Sequence, residues 1–409
     1  MTGMREPTLY RAEGLDPLVA ITDDGRLMAT LDEVMLGWNI VPVAMPAANA
    51  GQDPGPVIWI EQGASGWTCS GVNFDDPVTY LDPVATACSL IAALYKAHTF
   101  ADLEGLFLHA AGVRIGADGG LVLLTGHYRA GKSVVTTACA AAGLQVFSDD
   151  IIPLDPGGRI ARAPGLAIRL RLPLPDGLAL QTRDFVETHE IASSKQYVYI
   201  RPPPNLLARR DETAPIRAMV SLRRTEGATA QLSHLGLGDA LSETIRRNFA
   251  REVPAGRILE AFDGLIDEVP CFSLTYGRAE DGATLLRDAF EAARPEAAAA
   301  PATETATRLR RRTTRPLADD AVIRRQSGAQ ARERDGQAFL TDAEELVIFH
   351  LNATGTAVWR LLEQPTPFGE LAAVFAAGFP ERDPEALISD LSRLIRNLAA
   401  SGLVRIDAG

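Results

Sequence analysis

The sequence predicts an α/β domain built around a glycine-rich loop, with a mixed N-terminal region before it and a small α+β domain after it. Three observations support this organisation. An apolar strand, the glycine-rich loop and a helix follow one another at 121–142. A segment without large apolar residues interrupts the chain at 294–316. Beyond it, residues 317–409 show strand patterns first and three helix patterns afterwards.

Composition narrows the class of protein. The chain has 409 residues, which corresponds to two or three domains, and 46% hydrophobic against 22% charged residues is compatible with packed cores. The formal net charge is -12 and the sequence pI is near 5.1. Broad binding to nucleic acids or anionic membranes needs a basic face, so neither is expected as a partner.

Cysteine usage and the N-terminus predict a cytoplasmic protein. Only four cysteines occur, without a C-x-x-C pair, so a disulfide framework or a zinc site is not expected. The first residues lack the apolar core of a secretory signal, and the apolar stretches fall short of the roughly 20 residues that a transmembrane helix needs.

Residues 1–104 form the predicted mixed α/β region. Leu18–Thr22 and Arg26–Thr30 flank an Asp-Asp-Gly sequence and predict a β-hairpin. Short strands are expected at 56–61 and 67–74, and apolar residues at helical spacing predict a helix at 84–95.

The next predicted domain, 105–293, begins with two apolar strands and the glycine-rich loop. The strands, 106–115 and 121–125, are joined by a glycine-rich turn. The loop fits G-x-x-x-x-G-K-[ST] at every fixed position and precedes a helix that Gly143 ends. Its eight residues are the predicted nucleotide contacts: Gly126, His127, Tyr128, Arg129, Ala130, Gly131, Lys132 and Ser133.

The residue types of this loop indicate binding of ATP with Mg²⁺. Gly126 and Gly131 let backbone N–H groups close around phosphate oxygens at a helix N-terminus, which favours anions. Lys132 would reach the β- and γ-phosphates, and the Ser133 hydroxyl would bind Mg²⁺. The alternative is an accidental glycine turn.

Two adjacent carboxylates, Asp149 and Asp150, follow the next predicted strand. Neighbouring like charges raise one pKa, which suits one carboxylate as a base while the other assists the metal. Asp149 is therefore a candidate metal ligand beside Ser133, and the base is either aspartate. An ordinary acidic turn is the structural alternative.

These residues together resemble the bacterial HPr kinase/phosphorylase family. The matching features are His109 in Leu-His-Ala-Ala-Gly-Val, the loop 126–133, and the aspartates 17 and 18 residues beyond Lys132 (149 − 132 and 150 − 132). The resemblance implies an HPr-kinase-like α/β P-loop kinase fold, in which Lys132 neutralises phosphate and Ser133 holds the metal. The aspartate pair would then include the catalytic base, with His109 tuning it.

The resemblance has departures. Tyr128 and Arg129 stand where the family usually has Ser-Gly, and the family's downstream Glu-containing signature is not recognisable, so the second metal ligand is unassigned. Four basic residues are candidates for further phosphate contacts, or else ordinary surface charges: Lys195, Arg201, Arg246 and Arg247.

The segment 294–316 is predicted to be a linker that separates the two domains. Five of the eight residues in Arg308–Arg315 are arginine. This run is either the solvated end of the linker or a binding segment for an acidic partner.

Residues 317–409 are predicted to form the small α+β domain. Strands are expected at 322–325, 338–341 and 345–352, and helices at 353–363, 369–377 and 385–400, the first capped by Asn352. His350-Leu-Asn-Ala-Thr-Gly-Thr-Ala-Val-Trp359 and the Gly402 ending resemble the winged-helix-type PqqD family. The resemblance implies that the domain binds the leader of a ribosomally synthesised precursor peptide. A generic winged helix is the alternative, although 385–400 lacks a basic face for DNA.

The two resemblances together predict a kinase that phosphorylates a Ser or Thr hydroxyl of a leader-bound precursor peptide. The linker would keep the substrate near the kinase site at a raised effective concentration. Two alternatives remain open: an ATP-binding peptide chaperone or scaffold without phosphoryl transfer, and a regulatory kinase that acts on a folded protein.

Overall fold

The structure is a computed structural model that describes residues 6–15, 17–23, 25–44, 57–101, 104–116, 118–250, 252–291 and 316–407. The predicted linker up to Arg315, with its arginine run, lies outside these ranges. The chain divides into two compact units. The first comprises Met1–Leu235, Arg246–Val253 and Glu268–Ala299, and the second comprises Gly236–Ile245, Pro254–Asp267 and Ala300–Gly409. The domain boundaries expected from the sequence stay a prediction.

A six-stranded sheet opens the first unit, with strand order β3-β1-β2-β4-β5-β6. The strands near 57 and 67 and the following helix confirm the sequence prediction. The elements are β1 (Thr8–Ala12), β2 (Leu18–Thr22), α1 (Arg26–Val34), β3 (Ile40–Val43), β4 (Val57–Gly63), β5 (Gly66–Gly71), β6 (Val78–Tyr80) and α2 (Pro83–Ala101).

The predicted hairpin at 18–30 is wrong, because its second half is helix α1. The Asp23 side chain accepts hydrogen bonds from the backbone N–H groups of Gly25 and Leu27, at 2.9 and 2.8 Å, and so starts the helix. Leu27, Leu31 and Val34 then recur at helical spacing and are fully buried. Burial of this apolar face outweighs the turn preference of the Asp-Gly pair.

A second, larger sheet of the first unit holds the glycine-rich loop. Strand β9 pairs antiparallel with β8 and parallel with β16, and β16 pairs parallel with β18. Between residues 106 and 291 the elements in chain order are β7 (Leu106–Leu108), β8 (Ala111–Arg114), β9 (Leu121–Gly126), α3 (Lys132–Ala141), β10 (Gln145–Ser148), β11 (Ile152–Leu154), β12 (Ile160–Arg162), β13 (Ile168–Arg171), α4 (Leu180–His189), β14 (Glu190–Ser193), β15 (Tyr197–Ile200), β16 (Thr213–Arg224), β17 (Gln231–His234), α5 (Leu237–Arg247), α6 (Ala255–Glu268), β18 (Cys271–Tyr276) and α7 (Ala279–Glu291). Of these, β13, β15 and β14 form a separate three-stranded sheet, and most of α5 and α6 belongs to the second unit.

The strand expected at 106–115 is two strands with a break at His109 and Ala110. β7 pairs with β11, whereas β8 pairs with β9 and β10, so the chain changes neighbours between them. The other predictions for this stretch are confirmed. α3 follows the loop, and Gly143 lies just beyond the α3 C-cap with a φ of +89°.

The second unit contains two three-stranded sheets, ordered β23-β19-β24 and β20-β21-β22, and three helices. The predicted strands β19, β21 and β22, the three helices and the Asn352 cap are confirmed. The elements are β19 (Val322–Arg325), β20 (Gln330–Arg334), β21 (Gln337–Thr341), β22 (Ile348–Leu351), α8 (Ala353–Leu361), β23 (Thr366–Pro367), α9 (Phe368–Gly378), α10 (Pro384–Ala400) and β24 (Val404–Asp407).

The β20-β21-β22 sheet contributes to one core of the second unit. Leu340 and Leu351 are buried with residues of the three C-terminal helices, including Trp359, Leu391 and Ile395. Successive side chains of a strand point to opposite faces, so Phe339 lies on the other face, where its ring stacks on His350 with centroids 4.7 Å apart.

That other face is joined to the α5 and α6 segments that belong to the second unit. Buried Asp263 of α6 accepts hydrogen bonds from Arg332 and Arg334 of β20, at 3.0 and 2.6 Å. Burial alone would raise the pKa of Asp263, but the hydrogen bonds and charges of the two arginines lower it overall. From α5, Asp239 accepts a hydrogen bond of 2.9 Å from Gln337.

Two further findings bear on the sequence predictions. All four cysteines are free thiols, as their spacing suggests. Within the described ranges, no helix combines the length and the apolar character that crossing a bilayer would require.

Candidate functional site

The loop between β9 and α3 depends on its two glycines. Gly126 has a φ of +143°, and a Cβ there would lie 2.9 Å from the Ala130 Cβ and 3.0 Å from the Leu222 carbonyl oxygen. Gly131 has a φ of +88°, and a Cβ there would lie 2.5 Å from the Tyr276 hydroxyl, which donates a hydrogen bond to the Ala130 carbonyl. No larger residue fits either position without a shift of the loop.

Lys132 and Ser133 begin α3 directly after this loop. The Lys132 side chain is largely buried, although lysine is usually exposed. The positive charge of Lys132 and the partial positive charge at the N-terminus of α3 therefore lie in the same place, and both attract anions. The Ala130 N–H donates to the His127 carbonyl oxygen at 2.9 Å and tightens the loop before the helix begins.

The two aspartates lie at the end of β10 and are held by Ser148. Its hydroxyl oxygen accepts hydrogen bonds from the backbone N–H groups of Asp150 and Ile151, each at 3.2 Å. The Asp149 carboxylate is buried, and the Ser133 hydroxyl at the start of α3 is close enough to act on its pKa. The structure thus brings together the two predicted metal ligands.

Asp150 has a different environment, because it is partly exposed and has two cationic or polar neighbours. Its Oδ1 lies 3.2 Å from His109 Nδ1, and its Oδ2 accepts a hydrogen bond of 3.0 Å from Arg169. The break between β7 and β8 places His109 beside Asp150. The backbone N–H of His109 donates a hydrogen bond of 2.8 Å to the Arg247 carbonyl oxygen. The structure therefore brings the His109 and Asp150 side chains together.

The pKa values of this cluster differ from ordinary ones. Burial raises the pKa of Asp149 to about 6, and the charge of Asp150 adds to the effect. Burial is the largest influence on His109 and lowers its pKa; the charge of Asp150 opposes this, and the charges of Lys132, Arg247 and Arg169 add to the lowering. His109 is therefore neutral at pH 7 and can donate through Nδ1 to the Asp150 carboxylate.

A pH dependence follows from Asp149. We expect Mg²⁺-dependent nucleotide binding to weaken as the pH falls through about 6, because the protonated carboxyl cannot bind a cation. Asp150→Asn should move this midpoint to lower pH, since it removes the neighbouring negative charge. Titration calorimetry at fixed Mg²⁺ from pH 5 to 8 measures both midpoints. A midpoint that stays in place in Asp150→Asn would contradict the coupling.

Without bound metal, the raised pKa of Asp149 has the opposite effect on folding: the stability of the chain falls as the pH rises. A raised pKa means that the folded chain binds this proton more tightly than the unfolded chain. The contribution of Asp149 to stability is therefore present at acidic pH and is lost as the pH rises through about 6.

Sequence reasoning missed two arginines of β13. Arg169 contacts Asp150, and its backbone N–H donates to Asp149 at 3.4 Å. Arg171 donates a hydrogen bond of 2.7 Å to the hydroxyl of Tyr128 in the loop. The sequence pattern that could have found them is the alternation Ile168-Arg-Leu-Arg, because residues two positions apart in a strand point to the same face of the sheet.

The four basic residues that were candidates for further phosphate contacts lie in different environments. The charge of Arg247 acts on His109, whereas Arg201 forms a salt bridge of 2.8 Å with Glu33. Lys195 and Arg246 are exposed.

A small cleft, open to solvent, lies beside Gly131 at the start of α3. Its walls include the apolar side chains of Val134, Pro175 and Leu178 and the cations Arg224 and Arg278. Within the described part of the chain, no cluster of three or more His, Cys, Asp or Glu side chains is arranged to hold a metal ion.

In the second unit, β22 forms one edge of the β20-β21-β22 sheet. Ile348, Phe349 and His350 are only half-buried, and among the described residues no strand pairs with the outer side of β22. This edge leaves backbone groups accessible to an added strand.

Comparison with known families identifies this part of the chain. Residues 337–404 match PqqD, coenzyme PQQ synthesis protein D. The PqqD segment begins at β21 and ends at β24, so a PqqD domain lies at the C-terminus as the sequence predicts. No curated protein matches the chain.

Two solved structures resemble parts of the chain. TbiB1 in complex with the TbiA(beta) leader peptide is 23% identical and covers 20% of this chain and 94% of its own, with a TM-score of 0.19. The HPr(Ser) kinase/phosphatase from Coxiella burnetii is 13% identical and covers 42% of this chain and 78% of its own, with a TM-score of 0.22. At such low TM-scores neither similarity establishes a shared fold.

Proposed function

We propose that the chain is an ATP-dependent kinase that phosphorylates a Ser or Thr hydroxyl of a ribosomally synthesised precursor peptide. The PqqD segment would bind the leader of that peptide. The observation that supports the kinase assignment most is the pair of carboxylates beside the loop helix: Asp149 is buried near Ser133, and Asp150 is partly exposed and contacts His109 and Arg169.

The residues present fit Mg²⁺. Ser133 and Asp149 offer hard oxygen ligands, and Mg²⁺ typically takes one or two protein oxygens and completes its octahedron with phosphates and waters. When bound, Mg²⁺ neutralises phosphate oxygens and favours attack at the γ-phosphorus. Lys132 would contribute a second positive charge to the phosphates at the start of α3.

We assign the base to Asp150. Asp149 is buried, whereas Asp150 is partly exposed, and Arg169 and His109 orient it. The acceptor hydroxyl oxygen would form a bond to the γ-phosphorus as the bond to the β-phosphate oxygen breaks. The hydroxyl proton would pass to Asp150, and ADP would leave.

The cleft beside Gly131 is the proposed nucleoside site. Val134, Pro175 and Leu178 give it apolar walls, which suit a planar base. Arg224 and Arg278 add positive charge beside the same helix start.

Leader binding is assigned to the PqqD segment. An extended leader would pair with the free edge of β22 and gain main-chain hydrogen bonds, while side-chain contacts would supply specificity. Capture would make the acceptor hydroxyl a local substrate and thereby raise its effective concentration.

The test uses the full chain with a precursor peptide encoded beside its gene, and the same peptide without its leader. Mass spectrometry should show the gain of one phosphoryl group on the full precursor. The leaderless peptide should have a KM about 10- to 100-fold higher with a similar kcat, because concentration can replace tethering. Equal KM values for the two peptides would remove leader capture from the proposal.

The second candidate is an ATP-binding scaffold that presents the peptide without phosphorylating it. Arg129 favours it, because an arginine with a φ of +66° replaces a loop position that would suit glycine. ATP binding with no mass gain on the correct precursor would decide for the scaffold.

A further inference from the structure

A cationic cluster lies beside the loop and is distinct from Lys132. Tyr128 is 65% exposed, and the guanidinium carbons of Arg129 and Arg171 lie 5.5 and 5.1 Å from the centre of its ring. Arg171 also donates a hydrogen bond of 2.7 Å to the Tyr128 hydroxyl. We call Tyr128, Arg129 and Arg171 the loop-arginine cluster.

The cluster has positive charge without a carboxylate partner. Among the described residues, neither Arg129 nor Arg171 has a carboxylate within salt-bridge distance, although acidic residues outnumber basic ones by 52 to 40 in the chain. Arg169, on the same strand as Arg171, does have one in Asp150. Two guanidinium groups flank one exposed ring, and a guanidinium binds carboxylates and other oxyanions through its paired N–H groups.

Strand geometry relates the cluster to the proposed base. Arg169 and Arg171 are two residues apart in β13, so they share a face and their Cα atoms are about 7 Å apart. Arg169 holds Asp150, where the acceptor hydroxyl would be deprotonated. An extended peptide advances about 3.3 Å per residue, so a side chain one or two positions from that hydroxyl comes within reach of Arg171.

We propose that the loop-arginine cluster binds a carboxylate side chain of the acceptor peptide, one or two residues from the phosphorylated hydroxyl. This inference rests on the proposed kinase function and adds to it a preference for acceptor peptides with a carboxylate near the phosphorylated hydroxyl. A nucleotide phosphate is the other source of an oxyanion. The carboxylate is favoured because the proposed kinase already assigns the phosphates to Lys132 and the helix start, and because the proposed nucleoside cleft has none of the three cluster residues in its lining. Tyr128 and Arg129 are also predicted nucleotide contacts, so the ATP affinity measured in the test decides between the two sources.

The test uses the full chain, Mg²⁺, labelled ATP and leaderless peptide pools at millimolar concentration. Each peptide contains one serine. In each pool, Asp, Asn or Lys is fixed at a single position, one or two residues before or after that serine. At its best position, the wild-type chain should prefer Asp to Asn by about 10-fold, the scale of one charged hydrogen bond. Arg171→Gln should bring that ratio close to 1, and Arg171→Glu should shift the preference to Lys.

The matched control is Arg162→Gln, which changes an exposed arginine of β12 that lies 3.6 Å from Asp211. It should keep the wild-type ratio. Circular dichroism shows that each variant is folded, and ATP affinity, measured in parallel, separates the two sources of the oxyanion. An Asp preference that disappears in Arg171→Gln and reverses in Arg171→Glu supports the inference.

Four results would overturn it. A wild-type chain without an Asp preference, or an Arg171→Gln variant that keeps the preference, would remove the specificity inference and leave the kinase function standing. A loss of ATP affinity in Arg171→Gln that affects all pools equally would reassign the cluster to the nucleotide. No transfer to any pool or to the precursor, despite ATP binding, would remove the kinase function and this inference with it.

Discussion

Replacing Asp150 with Asn is expected to lower phosphorylation of the precursor by about 100-fold or more while leaving most Mg²⁺·ATP affinity in place. The amide keeps the size of the side chain but cannot accept the hydroxyl proton. Asp149 and Ser133, which would bind the metal, are unchanged. Single-turnover phosphorylation followed by mass spectrometry measures the rate, and calorimetry measures nucleotide affinity.

Two other aspartates provide the comparison. Asp149→Asn should weaken Mg²⁺-dependent ATP binding itself, because the proposed metal ligand is lost. Asp211→Asn changes a half-exposed carboxylate that lies 3.6 Å from Arg162, and it should keep the wild-type rate. A folded Asp150→Asn variant with full phosphorylation activity would show that Asp150 is not the base.

Lys132→Ala is expected to reduce ATP affinity by about 100-fold or more. The ammonium group is buried at the start of α3, and its loss removes a cation from the phosphates in a site of low polarity. Calorimetry at saturating Mg²⁺ gives the affinity, and circular dichroism confirms the fold.

Lys195→Ala is the control for this change, because Lys195 is an exposed lysine of the same unit. It should bind ATP as the wild-type chain does. Unchanged affinity in a folded Lys132→Ala variant would reject the loop as the nucleotide site, whatever the variant did to phosphorylation.

The sequence predicted what depends on local pattern. The strand, loop and helix around Lys132 follow from residue order, since positive φ values at Gly126 and Gly131 favour glycine and little else. The caps at Asn352 and Asp383 follow from the same kind of local hydrogen bonding.

What the sequence did not predict depends on long-range packing. Arg169 reaches Asp150 because β13 passes beside the end of β10, and no spacing rule encodes that approach. The start of the helix at Arg26–Val34 carries a strand prediction, because Asp23, which accepts a hydrogen bond from the Leu27 N–H, also suits a turn. The break at His109 arises because β7 and β8 pair with different strands.

The second unit is built from three separate stretches of the chain, so the PqqD segment cannot be moved into another protein without losing contacts. Cutting before β19 would yield the PqqD segment but not Asp263 or Asp239, the partners of Arg332 and Gln337. The sheet face that bears Phe339 and His350 would lose its α5 and α6 neighbours. A graft of residues 317–409 onto another enzyme would therefore display an apolar ring and two unneutralised arginines. Its solubility, rather than its peptide affinity, would be the first property to suffer.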